Sequence, residues 1–293
     1  MLLPRISLTR LIARLLLVPF AALFSYPSPG FATGFGPSLG AASGFAALAG
    51  AAVTCTTSTL AGNVGYGTAF TSTGCAIAGT ASTPPAAAYA DFLAAYDMLH
   101  FNTPCDQTLT GTLAGVTLAP GVYCFPAAAT LTGTLTLNGP ANGVWIFKVG
   151  TGGTGALTGT SFSVVMTGGA ETAACPNVYW WVAQAATLTG SNFVGAILAG
   201  AGITVTGGTF TGEALAGGAG TSLAPTGAVT VTNSTITACP PPGGSTMFLK
   251  AKCNQGVGNG PEGCDPGNSN NHNGSNDERG GAPGNPGRKV GNR

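Results

Sequence analysis

Three segments in the second half of the chain repeat one pattern of threonine and aliphatic residues. They span residues 187–195, 204–212 and 230–237, and each reads threonine, aliphatic, threonine, then glycine or asparagine. Because successive side chains of a β-strand point to opposite faces, the aliphatic residue is predicted to face inward and the threonines beside it outward. The predicted inward residues are Leu188, Val205 and Val231.

The spacing of these segments predicts a stack of short strands. Their first residues lie 17 and then 26 residues apart. One short strand per repeat of about this length is typical of a β-solenoid, whose neighbouring copies bury a shared core. The longer second interval is interpreted as an alanine- and glycine-rich insertion at 214–227. We therefore expect the three inward residues to form one buried column.

A second periodicity predicts one helix over residues 86–100. It follows Ser82-Thr-Pro-Pro85, where a hydroxyl can cap the first turn and proline is tolerated. Apolar residues then recur at steps of three and four, which gives the segment one apolar stripe. The stripe consists of Tyr89, Phe92, Leu93, Tyr96 and Leu99. We expect this stripe to pack against the flank of the stacked strands.

Further strands are predicted before the repeats. Two runs rich in aromatic and β-branched residues, 143–149 and 177–183, are typical of strands buried on both faces. Because Trp180 and Trp181 are adjacent on the second run, one of them must face inward, which favours a core role over sugar stacking. Shorter strands are expected at 53–64, 109–112, 116–118, 122–124 and 130–137.

Composition argues against several classes of partner. Charged residues make up 6% of the chain, and the formal net charge is +1. Between residues 31 and 249 the only base is Lys148. A surface with so little electrostatic field gives no support for binding to nucleic acid, an anionic membrane or a charged substrate. We expect no cofactor, and solubility that comes from hydroxyl and amide groups.

The composition of the two ends divides the chain into three predicted parts. Residues 1–32 have a basic start, an apolar run and small residues at 30–32, the pattern of a cleaved secretory signal. Residues 33–241 form the β-solenoid domain. Residues 242–293 are rich in glycine, asparagine and proline, which predicts a largely disordered tail. We expect a secreted monomer with no stable membrane insertion after cleavage of the signal.

All eight cysteines follow the signal-like segment, which in an exported chain indicates disulfides. Pairing of neighbours is the simplest of the many arrangements that eight cysteines allow. It joins Cys55 to Cys75, Cys105 to Cys124, Cys175 to Cys239 and Cys253 to Cys264. No Cys-x-x-Cys or Cys/His ligand spacing is present, so no metal site is expected.

Five segments carry a family resemblance. They are LGAASGFAALA at 39–49, LAGNVG at 60–65, GVTLAPGVY at 115–123, NGVWIFK at 142–148 and NVYWWVA at 177–183. In this order, and with the alanine-rich helix, they resemble the ice-binding-protein-like family of secreted antifreeze proteins from cold-living organisms. The resemblance implies a mostly β fold, an irregular right-handed β-solenoid (β-helix) with one long α-helix packed alongside.

The resemblance also implies a site, a flat solenoid face that adsorbs to the surface of an ice crystal. Several family members carry Thr-Gly/Ala-x-Thr/Asn on this face; residues 189–192 and 206–209 match it, and 232–235 departs from it at Asn233. The third polar position of each segment belongs either to the face or to its edge. The implied ice-binding residues are Thr187, Thr189, Asn192, Thr204, Thr206, Thr209, Thr230, Thr232 and Thr235.

Two other functions compete with ice binding. Threonine on an outward strand face also reflects high β-propensity, so the same face suits an extracellular adhesin or a surface-structural protein without ice activity. A polysaccharide-cleaving enzyme would need paired carboxylates, or carboxylates with arginine or lysine. The second half of the solenoid offers only Glu171 and Glu213, and His100 at the helix end suits capping or packing. We therefore predict a protein with no catalytic residues.

Overall fold

The structure is a computed structural model that describes residues 36–84, 86–219 and 226–239. Within this part the chain forms parallel β-sheets and one α-helix, which confirms the mostly β fold class. The predicted signal at 1–32, the tail at 242–293 and the pairing of Cys253 with Cys264 lie outside the described residues.

The elements are short and numerous. The helix α1 spans Ala86–Phe101, and two 3-10 turns span Gly40–Ala42 and Ala170–Thr172. The strands are β1 (Phe45–Ala49), β2 (Val53–Thr56), β3 (Thr59–Ala61), β4 (Asn63–Tyr66), β5 (Phe70–Thr73), β6 (Ala76–Ile77), β7 (Ala81–Ser82), β8 (Gln107–Thr108), β9 (Thr117–Leu118), β10 (Gly121–Phe125), β11 (Ala129–Asn138), β12 (Val144–Val149), β13 (Leu157–Thr167), β14 (Asn177–Val182), β15 (Ala186–Val194), β16 (Ala196–Ala199), β17 (Ile203–Thr211), β18 (Ala214–Ala216), β19 (Val229–Thr232) and β20 (Thr235–Thr237).

These strands form two sheets. The helix-side sheet has nine strands in the spatial order β7, β4, β1, β18, β16, β14, β12, β10 and β8. The Thr sheet has eleven: β5, β2, β19, β17, β15, β13, β11 and β9 follow one another, while β20 pairs with β17 and β3, and β3 with β6. From β9 to β19 successive strands alternate between the two sheets, so each sheet is a stack of parallel neighbours.

The predicted column of inward residues is confirmed. Leu188 on β15 is in register with Val205 on β17, which is in register with Val231 on β19. All three are buried in the core between the sheets. The proposed insertion at 214–227 is partly wrong, because Ala214–Ala216 is β18 and pairs with β16 as a regular strand of the helix-side sheet. The extra length of the second interval therefore begins only after β18.

Aromatic rings fill the middle of this core. The ring of Phe147 on β12 stacks on that of Trp180 on β14 with centroids 3.9 Å apart, and Trp180 also meets Phe193 on β15 at 5.0 Å. Trp181, the next residue, points to the opposite face of β14 and is buried with the helix. Both tryptophans are therefore core residues, as the alternation of a strand predicts.

The helix packs on the outer face of the helix-side sheet, as predicted, and ends one residue later than expected. The Tyr89 hydroxyl donates a hydrogen bond to the Gly217 carbonyl at 2.9 Å. The ring of His100 stacks on Trp181 with centroids 4.7 Å apart, which is the expected packing role. The buried ammonium of Lys148 donates to the carbonyls of His100 and Thr103 at 3.1 and 2.6 Å and so holds the end of the helix, while burial lowers its pKa.

One predicted strand is wrong. The segment 109–112 lies between β8 and β9 and belongs to neither. The chain turns after it at Leu113, whose φ is 60°, and the Val116 N–H closes this turn on the Leu113 carbonyl at 3.2 Å. The threonine and leucine pattern alone could not distinguish this turn from a strand.

The N-terminal strands join both sheets beside the C-terminal ones. β1 pairs with β18 in the helix-side sheet, and β2 pairs with β19 in the Thr sheet. Strands far apart in sequence thus become neighbours, and the helix connects this region to the part of the stack that begins at β8. This arrangement extends the surface of the Thr sheet beyond the three sequence repeats.

Three of the predicted disulfides are present in the described part of the chain. They join Cys55 to Cys75, Cys105 to Cys124 and Cys175 to Cys239. The first two link segments on or next to paired strands, β2 with β5 and β8 with β10, which explains why neighbour pairing succeeds there.

Candidate functional site

The outward residues of the Thr sheet form three columns, which together we call the Thr face. In each column the members are in register on neighbouring parallel strands, and none of them is buried. The first column is Thr130, Thr158, Thr187, Thr204, Thr230, Thr54 and Thr71; the second is Thr160, Thr189, Thr206, Thr232, Thr56 and Thr73; the third is Thr134, Ser163, Asn192, Thr209, Thr235 and Thr59.

The nine residues predicted from sequence all lie on the Thr face. Thr187, Thr204 and Thr230 fall in the first column, and Thr189, Thr206 and Thr232 in the second. The third polar positions, Asn192, Thr209 and Thr235, form a column of the same sheet and are exposed. The Thr209 hydroxyl donates to the Asn192 side-chain oxygen at 2.9 Å, which links two strands across this column.

A left-handed residue between the second and third columns explains how one strand keeps all three columns on one face. Gly190, Gly207 and Asn233 occupy this place on β15, on β17 and after β19, with φ of 56°, 68° and 50°. Glycine adopts this conformation freely, and asparagine is among the residues that tolerate it best. The departure of Asn233 from the motif is therefore compatible with the same backbone path. Thr57 takes the corresponding place after β2, and its hydroxyl bonds to the Asn233 side chain.

The residue after the left-handed position turns inward. The buried hydroxyl of Ser191 donates to the Thr189 carbonyl at 3.1 Å, and that of Ser234 donates to the Thr232 carbonyl at 2.8 Å. On β17, the strand between those of the two serines, Gly208 is in register with Ser191. An added Cβ at Gly208 would overlap the backbone of Ser191. These contacts fix the backbone directly beneath the face.

Replacement of Gly208 by alanine should therefore destabilise the sheet far more than the same change at Gly190. Both glycines have positive φ, a conformation that costs other residues about 1–2 kcal/mol. At Gly190 the nearest atom to an added Cβ is the Ser161 hydroxyl oxygen at 3.9 Å, whereas at Gly208 a strand backbone must move. We expect a loss of roughly 3 kcal/mol or more for Gly208→Ala. Thermal unfolding of the two variants measures this, and equal losses would contradict the packing described here.

The Thr face carries no formal charge. None of the eleven strands of the Thr sheet contains an acidic or basic residue. Glu213, the one charged residue of the sequence between 186 and 237, lies between β17 and β18 and is 3% exposed, so it does not reach the face. Parallel neighbours lie about 4.7–4.9 Å apart, and two threonines separated by one residue on a strand about 6.6 Å apart. The result is a regular, uncharged array of methyl and hydroxyl groups.

Sequence reasoning missed half of this array. The N-terminal segment contributes Thr54, Thr56 and Thr59, and the next strand contributes Thr71 and Thr73. Strands β11 and β13 add members on the other side of the repeats. The spacing of polar residues in the sequence already indicated the N-terminal members, because positions 54, 56 and 59 repeat the steps of positions 204, 206 and 209.

The acids that an enzyme would need have local structural partners. The Glu171 carboxylate accepts a hydrogen bond from the Gly169 N–H at 2.8 Å, and the Glu213 carboxylate accepts one from the Cys239 N–H at 3.0 Å. Glu213 borders a cavity of about 180 Å³. Burial raises its pKa to about 7, although backbone N–H groups of Cys239, Glu213 and Gly44 oppose the shift. Burial, and then the charge of Glu213, raises the pKa of the neighbouring Tyr179 to about 12.

The described residues offer neither a metal site nor a membrane-spanning helix. No cluster of three or more His, Cys, Asp or Glu side chains is placed to hold a metal ion there. Of the helices in that part of the chain, none has the length and apolar character needed to cross a membrane.

Known proteins resemble this chain in sequence and in fold. An ice-binding protein from Nostoc sp. (strain HG1) is 38% identical over 163 residues, 55% of this chain and 56% of the Nostoc protein, so the match spans little more than half of that relative. The crystal structure of an ice-binding protein from the Antarctic ascomycete Antarctomyces psychrotrophicus is 32% identical with a TM-score of 0.59, covering 70% of this chain and 99% of that one. An ice-binding protein from an Antarctic biological consortium is 28% identical with a TM-score of 0.61, covering 70% and 92%.

The family itself follows from a match that extends over most of the described residues. Residues 33–237 match the family model described as ice-binding-like, which is more than two thirds of the 293 residues. This match and the structural neighbours confirm the resemblance seen in the sequence. The chain therefore belongs to the ice-binding-like family.

Proposed function

We propose that this protein is a secreted ice-binding protein that adsorbs to ice through the Thr face and inhibits ice growth or recrystallisation. The observation that carries the proposal is the set of three uncharged columns, in register across as many as seven parallel strands. The family membership and the names of the relatives support it.

Recognition of ice needs such a surface because each contact is weak. A hydroxyl or methyl group gains little free energy by leaving liquid water for the crystal surface, so many groups must engage together on a stiff scaffold. Threonine suits this role because its branched side chain has few rotamers to lose. The strand spacing of about 4.7–4.9 Å lies close to a lattice repeat of ice, so successive threonines can meet equivalent water positions.

The finer architecture is part of the same proposal. The alternation of strands between the two sheets supports a right-handed β-solenoid over residues 33–241. From sequence composition alone we further propose that residues 1–32 are removed as a signal and that 242–293 form a largely disordered tail. Three disulfides support an oxidising, extracellular compartment. The local roles of Glu171 and Glu213 support a non-enzymatic function, and we propose that the protein acts as a monomer without a cofactor.

Thermal hysteresis and the shape of a growing ice crystal test the proposal. The purified protein is expected to produce a gap between melting and freezing temperatures and to give the crystal facets. An inert protein of similar size at the same molar concentration serves as the control. Round, freely growing crystals and no inhibition of recrystallisation would contradict the proposal and would favour an adhesive role for the same face.

A further inference from the structure

The outermost layer of the stack, residues 70–82, supplies the last strand of the Thr face. Its strand β5 adds Thr71 and Thr73 in register with Thr54 and Thr56 on β2. In the described part of the chain β5 pairs with β2 alone, so one side of β5 is an open edge. The layer extends the first two columns of the face by one strand.

Packing alone holds this layer weakly. No residue from 70 to 82 is buried; Phe70, Cys75 and Ile77 are half-buried and the others are exposed. On the adjacent strand β2, in contrast, Val53 and Cys55 are completely buried. The ring of Phe70 stacks on Tyr66 at 5.7 Å between centroids, outside the fully buried core. An edge strand with so little buried apolar area is expected to open locally more easily than the strands behind it.

The Cys55–Cys75 disulfide ties this layer to the core. Cys55 lies on the inward side of β2, in register with Val231 and thus in the central apolar column. Cys75 lies between β5 and β6, so the bond runs from beneath the face to the outer layer. It closes a loop with a sequence separation of 20 residues that contains all of β5. A cross-link of this kind limits the open states of the loop.

We propose that Cys55 and Cys75 are positioning residues that set the extent of the ice-contacting face, an inference that rests on the proposed function. With the disulfide formed, β5 stays in register and Thr71 and Thr73 belong to the array. A thiol reductant transfers two electrons and two protons to the disulfide; the thiols of Cys55 and Cys75 form and the reductant becomes a disulfide. The outer layer then opens, and the face loses one strand while the core remains folded.

Paired variants of the full chain test this inference. Cys55→Val with Cys75→Ser removes the link and places in the core the residue type that Val231 already supplies one strand away. The matched control, Cys124→Val with Cys105→Ser, removes a disulfide that lies in the helix-side sheet at β10. Hydrogen exchange of the amides of residues 70–78 and thermal hysteresis are measured for both. In the test variant we expect exchange of these amides to accelerate roughly tenfold or more while that of β15 and β17 stays slow.

Thr71→Tyr, introduced into the unaltered chain and into the Cys55→Val, Cys75→Ser variant, distinguishes positioning of β5 by the disulfide from a general effect on stability. In the chain with all disulfides, Thr71→Tyr is expected to lower hysteresis, because the new ring protrudes at the edge of the contact area. In the Cys55→Val, Cys75→Ser background hysteresis is expected to be lower already, although not abolished, and Thr71→Tyr should reduce it no further. The Cys105 and Cys124 control should keep the activity of the unaltered chain.

Two results would overturn the inference. One is full hysteresis and unchanged exchange without the Cys55–Cys75 bond; the other is faster exchange throughout the Thr sheet, which would make the bond a general stabiliser. Failure of the proposed function has a different signature, since hysteresis would then be absent in the unaltered chain or insensitive to substitution at the centre of the face.

Discussion

Thr206→Tyr should abolish most of the thermal hysteresis and the inhibition of recrystallisation. Thr206 is exposed on β17, near the middle of the second column, between Thr189 and Thr232. A tyrosine ring there would rise above the neighbouring threonines and hold the whole array away from the crystal. Because all contacts must form together, one protruding side chain removes many of them at once.

The fold of this variant should be unaffected. Tyrosine has high β-propensity, and a change at an exposed strand position alters stability by about 0.5 kcal/mol at most. Thr108→Tyr is the matched control, because Thr108 is an exposed threonine on β8 of the helix-side sheet, away from the Thr face. If Thr206→Tyr retains full activity while the unaltered chain is active, the ice-contacting surface lies elsewhere on the molecule.

Glu213→Gln should remove most of the pH dependence of stability between about pH 5 and pH 8. The pKa of Glu213 rises from 4.5 to about 7 on folding because its carboxyl group is buried. Between these pH values the folded chain holds a proton that the unfolded chain releases, so stability is full below about pH 4.5 and falls as the pH rises through 7. Tyr179 beside it stays protonated over this range, since its pKa is about 12.

The expected size of this effect follows from the pKa shift. A shift of this size corresponds to roughly 3 kcal/mol at pH 8, or about 6–12 °C in the melting temperature of a domain of this length. Glutamine is neutral throughout and its side-chain oxygen can still accept the Cys239 N–H, so the variant should melt at a nearly constant temperature and above the unaltered chain at pH 8. Glu171→Gln, at an exposed position, is the control. A parallel fall in melting temperature for Glu213→Gln and the unaltered chain would contradict the burial of this charge.

The repeat, the core column and the helix could be predicted from the sequence because each is a periodic, local pattern. Leu188, Val205 and Val231 alternate with threonine at a period of two, and only an inward column satisfies that period in stacked strands. The helix stripe follows in the same way from steps of three and four residues. Two of the disulfides could be predicted for a related reason, since Cys55 and Cys75, and likewise Cys105 and Cys124, lie on or next to paired strands.

Three of the missed strands depart from the pattern of the repeats, because the residue between their two threonines is not aliphatic. Cys55, Ser72 and Gly159 occupy that position on β2, β5 and β13, although each is in register with the neighbouring column. The spacing of the polar positions alone distinguishes these strands, because each has two threonines separated by one residue. The pairing of β2 with β19 could not be inferred in this way, because it joins segments far apart in sequence through contacts that no local pattern encodes. The burial of Glu213 likewise depends on residues far apart in sequence, Gly44 and Cys239, which meet it in space.

Partition into slowly growing ice measures whether the protein adsorbs to the crystal through the Thr face. The protein, in dilute solution at a low and fixed ionic strength, is placed around a cooled probe on which an ice hemisphere grows, together with an inert protein of similar size. We expect this protein to be enriched in the ice fraction while the inert protein stays in the liquid, and we expect Thr206→Tyr to move it back to the liquid. Exclusion of the unaltered protein from the ice, to the same degree as the inert protein, would show that the chain does not bind ice.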